Sequence, residues 1–82
     1  MIGVIKKFMK QPLDNRIIGL NIMYYRKLKN YTRKQLAQEV DISMAYMAKI
    51  ESGAVSKSVS LTVLSKISSI LNVSIDKLLQ KN

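Results

Sequence analysis

A chain of 82 residues has room for one domain around one modest core and none for a separate catalytic or effector domain. It contains no Cys and no His, which excludes disulfides and thiolate metal sites and removes the commonest metal ligand and the commonest acid–base group at neutral pH, so no metal, cofactor or enzymatic activity is expected. Fourteen Lys and Arg against five Asp and Glu give a net charge of +9, which points to a polyanionic partner, and a hydrophobic content of 48% with a single Pro is that of a globular chain.

Residues 1–12 read as a leader in which Ile2, Val4, Ile5, Phe8 and Met9 alternate with Lys6, Lys7 and Lys10 before Pro12. A loose tail, a basic arm on phosphates, an apolar contact across a dimer and a weak amphipathic membrane contact all fit it. No apolar run reaches the ~20 residues of a membrane span, and there is no signal-peptide pattern, so a cytoplasmic, nucleoid-associated location is expected.

The domain proper is expected over residues 13–82. From Asp14 to Lys29 the apolar positions Ile18, Ile22, Tyr25 and Leu28 recur at three- and four-residue steps and predict a first amphipathic helix. Asn30 stops it. Thr32 to Gln35 then read as a capping box for a second helix that runs to about Val40 with Leu36, Ala37 and Val40 inward. After Asp41 and Ile42, Ser43 can cap a third helix with Met47 and Ile50 inward, ended by Gly53. A polar loop over residues 54–59 leads to a fourth helix capped by Ser60 and carrying Leu61, Leu64, Ile67 and Leu71. Ser74, after Asn72, can cap a short last helix with Ile75, Leu78 and Leu79. Five helices and no strand predict a compact all-α bundle.

The second and third helices are joined by too short a turn to pack antiparallel, so they must cross, with Ala37 at the tight side. Stepping about 100° per residue from Met47 and Ile50 directs Ala45, Ala48, Lys49 and Ser52 outward, with Met44 and Tyr46 on the flanks. That face is almost free of acid. In a major groove its Lys can donate to guanine O6 or N7, and its methyl-bearing side chains can meet the thymine methyl.

Between about Ile17 and Leu79, the run Ile18-Gly19, Ile22, Tyr25-Arg26, Thr32, Gln35-Leu36-Ala37, Ile42-Ser43, Met47, Ile50-Glu51 and Gly53 is followed by Leu61, Leu64, Ile67, Leu71, Val73-Ser74-Ile75-Asp76 and Leu78. At these spacings it resembles the Cro and lambda-repressor type of helix-turn-helix proteins, also called the xenobiotic-response-element family. The resemblance implies a lambda-repressor-like bundle that binds double-stranded DNA through the helix at 43–51. It further implies that Arg33 holds a phosphate, and that Ser43, Met44, Ala45, Tyr46 and Lys49 face bases and adjoining backbone. Ser56, Lys57 and Ser58 would touch phosphates across the groove, and Arg26 and Glu51 would form a partly buried salt bridge.

Asn30, Asp41 and Asn72 stand where the family often has Gly, and they are the residues other than Gly that most readily take up a left-handed conformation. The loop at 54–59 is about two residues longer than the family's usual connection and lacks its frequent Pro, and Met23 replaces a commonly basic residue. The expected function is transcriptional regulation, as a repressor, with a homodimer on a two-fold operator because a single domain reads few base pairs. Ile75, Leu78, Leu79 and the leader are the candidate dimer surfaces. The alternative is a protein-interaction module on the same fold, such as an antitoxin or adapter, with an anti-repressor or toxin as its protein partner and DNA binding secondary.

Overall fold

Every helix begins on a side chain that closes its first turn. At the start of α1 (Asn15–Leu28) the Asp14 carboxylate accepts the Arg16 N–H at 2.9 Å. Thr32 and Gln35 form a reciprocal capping box on α2 (Arg33–Val40), with bonds of 3.0 and 2.9 Å. The hydroxyls of Ser43, Ser60 and Ser74 accept N–H groups at the starts of α3 (Met44–Ser52), α4 (Leu61–Leu71) and α5 (Ile75–Leu79). Each cap satisfies a donor that the helix itself leaves without a partner. The computed structural model describes residues 14–81, among which there is no strand; the expectations for the leader at 1–12 lie outside the described residues.

The stops of α1 to α4 share one device. Asn30, Asp41, Gly53 and Asn72 have φ of 62°, 64°, 75° and 54°. In each case the next residue's N–H reaches back to a carbonyl of the last helical turn: Tyr31 to Arg26 (3.0 Å), Ile42 to Ala37 (3.0 Å), Ala54 to Lys49 (2.9 Å) and Val73 to Ser68 (3.1 Å). A left-handed residue turns the chain sharply, so each following helix sets off in a new direction.

Those directions bring the apolar stripes together. The first helix lies across α3 and touches α4 and α5, α2 packs on α3 and α4, and α4 packs on α5. Ile18 and Ile22 from α1, Leu36, Ala37 and Val40 from α2, Met47 and Ile50 from α3, and Leu64, Ile67 and Leu71 from α4 make the core. Gly19 is the point of closest approach between α1 and α3. A Cβ there would stand 2.4 Å from the Ile50 carbonyl oxygen and 2.6 Å from that of Glu51, so only a residue without one fits.

Four residues depart from the sequence pattern. Leu28 and Leu61 are 59% and 68% exposed, because they are the last residue of α1 and the first of α4, where each stripe overruns the layer it packs against. Leu78, expected as part of a dimer surface, is fully buried: α5 has only a single turn, wedged against α1 and α4, and its inward residue completes the core. Val59, placed in a polar loop, is also a core residue.

Candidate nucleic-acid interface

The second and third helices cross through the Asp41 turn, with Ala37 buried at the crossing and Ile42 packed against the core. This fixes which side of α3 faces outward. Met47, Ile50 and Glu51 point in, whereas Met44, Ala45, Lys49 and Ser52 are exposed. Ala48 is half-buried, as is Tyr46, which packs on the core at the flank of this face. Ser43 is exposed at the head of the helix; its hydroxyl oxygen accepts the Tyr46 N–H, and its own hydrogen remains for an acceptor outside.

The single acid of α3 is turned away from this face and neutralised. Glu51 is 5% exposed and accepts hydrogen bonds from Arg26 Nε (2.6 Å) and Nη2 (3.1 Å) and from Arg33 Nε (3.1 Å). Arg26 Nη1 also donates to the Tyr31 carbonyl at 3.0 Å. One carboxylate therefore binds side chains from α1 and α2 to the end of α3, and the Arg26–Glu51 pair is buried on both sides. Arg33 differs from Arg26 in that its side chain is 39% exposed, while its Nε is held on Glu51.

A groove of about 690 Å³ runs between α1 and the end of α3, and Arg16, Arg33 and Lys49 stand around it with Leu20, Met23, Ala48, Ser52 and the paired Glu51. Arg33 and Lys49 are thus brought to one site, while Ser43, Met44 and Ala45 lie toward the start of the same helix. Arg16 joins them without having been singled out by the sequence, since a cation in the first turn of a helix carries no local signal of its destination. Ser56, Lys57 and Ser58 are exposed in the loop before α4. That loop is anchored by the half-buried Val55, by Val59 and by Asn15, whose Nδ2 donates to the Val55 and Lys57 carbonyls at 3.4 and 3.2 Å.

The family model described as "Helix-turn-helix" matches residues 22–78. The HTH-type transcriptional regulator SlrR of Bacillus subtilis (strain 168) is 42% identical over 62 residues, a match that covers 76% of this chain and 40% of SlrR. SinR of the same organism, also an HTH-type transcriptional regulator, is 34% identical over 65 residues, covering 79% of this chain and 58% of SinR. The chain therefore spans about half the length of these curated relatives. A crystal structure of the master regulator for biofilm formation SinR in complex with DNA superposes with a TM-score of 0.70 at 35% identity, covering 77% of this chain and 98% of that one. The crossed helices, the matched residues and these relatives agree: the chain belongs to the helix-turn-helix family, in its Cro and lambda-repressor type.

Proposed function

We propose that the chain is a sequence-specific double-stranded DNA-binding transcriptional regulator, a repressor that binds a two-fold operator as a homodimer with α3 in the major groove. The observation that carries this reading is the outward face of α3, where Lys49 and small side chains are exposed and the helix's one acid is buried between two arginines. Such a face can approach base edges closely and meets no charge repulsion from phosphates. Lys49, Ala45 and Met44 read bases, Ser43 and Tyr46 meet the adjoining backbone, and Arg33 offers its outer nitrogens to a phosphate. Ser56, Lys57 and Ser58 take the backbone across the groove. The net charge of +9 supplies the sequence-independent part of the affinity, and SinR, a relative over this same region, is described in complex with DNA. With Leu78 in the core, the half-buried Ile75 and Leu79 remain the proposed dimer contacts on α5. The site of action is the cytoplasm.

Selection of bound duplexes from a random pool, with sedimentation of the complex run in parallel, tests this. The expected product is an inverted repeat whose half-sites are centred about 10 base pairs apart, bound by two copies. A pool that stays unenriched overturns sequence-specific binding, and a single half-site bound by one copy overturns the homodimer.

A further inference from the structure

The first helix presents a second surface, which shares Leu20 and Met23 with the groove beside α3 and extends away from it along α1. Leu20, Tyr24 and Leu28 are 56%, 57% and 59% exposed, and their spacing of four residues sets them in one ridge along α1. Tyr24 is held in place: its ring meets that of Tyr25 edge-on, with centroids 5.0 Å apart and planes at 82°. The ridge borders an open groove of about 830 Å³ floored by Ile17, Leu20, Met23, Tyr24 and Tyr25, and among the described residues its charged lining is Lys27 and Lys81. The wall that carries Lys81 is fixed by Asn21, whose Nδ2 donates to the Leu78 and Gln80 carbonyls at 2.9 and 2.7 Å.

We propose that this groove docks an acidic amphipathic helix of a second protein. Its apolar stripe covers the Leu20–Tyr24–Leu28 ridge, and its carboxylates pair with Lys27 and Lys81. A ridge of residues four apart is the shape that interdigitates with another helix, and an amphipathic helix laid in an apolar groove is a recurrent mode of protein recognition. Leu20 and Leu28 gain nothing from a phosphate backbone, which must keep its hydration or a cation. The charge selects the occupant: lysines without an acid favour carboxylates, whereas a second copy of this chain would bring like charges to the rim.

The test is amide chemical-shift mapping on the full chain. The probe is a synthetic helical peptide of about five turns with Leu at every third and fourth position and Glu elsewhere; a twin peptide carries Lys in place of Glu. The acidic peptide is expected to shift Ile17 to Leu28 and Lys81 and to leave Ser43 to Tyr46, at the start of α3, unmoved. L20E/Y24E should weaken it about tenfold or more, a difference of at least about 1.4 kcal/mol. K27E/K81E, which alters only exposed positions, should lose the acidic peptide and gain the basic one. Equal binding of the two peptides overturns the proposal, as do shifts centred on α3 or indifference to both double variants. Shifts of the ridge on dilution of the chain alone assign it to a second copy, and reciprocal shifts in residues 1–13 on adding peptide assign it to the leader; either result also overturns it.

Discussion

The outward faces of α3 and α1 are made of opposite materials. Beside Lys49, the α3 face carries Ala45 and Ala48, so its backbone can come close to whatever it meets, whereas α1 shows Leu20, Tyr24 and Leu28, which hold a partner at arm's length over an apolar ridge. Both helices have fully satisfied inner stripes, Ile18 and Ile22 on one and Met47 and Ile50 on the other. Folding demands nothing of the outer faces. On the proposed reading, their difference suits α3 to close polar contact and α1 to apolar cover. The two are held in fixed relation by Gly19, where the helices nearly touch, and by the arginine pair on Glu51.

Breaking that frame should have the largest effect. Glu51→Ala leaves the buried Arg26 without its counter-charge and is expected to cost ~3–5 kcal/mol of stability, measured by denaturant unfolding; a loss under about 1 kcal/mol would show that the pair does not hold α1 to α3. Gly19→Ala forces a Cβ against two backbone carbonyls that cannot swing aside, and should cost ~1–3 kcal/mol as α1 is lifted from α3. Lys49→Ala leaves the frame alone and should remove ~1–3 kcal/mol of discrimination at one position of each half-site, seen by anisotropy with variant duplexes. Arg33→Ala should instead weaken all duplexes alike and reduce the salt slope by about 1, from about −7 for a dimer making ~8 phosphate contacts. Tyr24→Glu should have the smallest effect, within ~0.5 kcal/mol on stability and with base preference unchanged. A change in base preference there would merge the two faces into one site.

What the sequence made legible was what neighbours decide. Thr32 with Gln35, Ser43, Ser60 and Ser74 cap because the groups they serve are three residues away, and Asn30, Asp41 and Asn72 take up positive φ because their own side chains allow it. The apolar period located the inner stripes for the same reason. It failed at Leu28, Leu61, Leu78 and Val59, whose burial depends on where another element ends rather than on their own helix. The site divides in the same way. Lys49 and Met44 follow from helical phase, but the bond from Arg33 to Glu51 spans 18 residues and the bonds from Asn15 to the loop span 40 and 42. A polar residue in a helix does not announce a partner that far along the chain.

The Asn21 amide has a consequence for how the molecule assembles. It lies buried in α1, and its two carbonyl partners are 57 and 59 residues further on. The crossed pair α2–α3 can form from local contacts, whereas these two bonds form only when the segment around Leu78 docks on α1. The docking of α5 is thereby tied to α1, the helix that lies across α3. Folding and unfolding should then be a single concerted event, with the amides of α1 and α5 gaining and losing their protection from hydrogen exchange together.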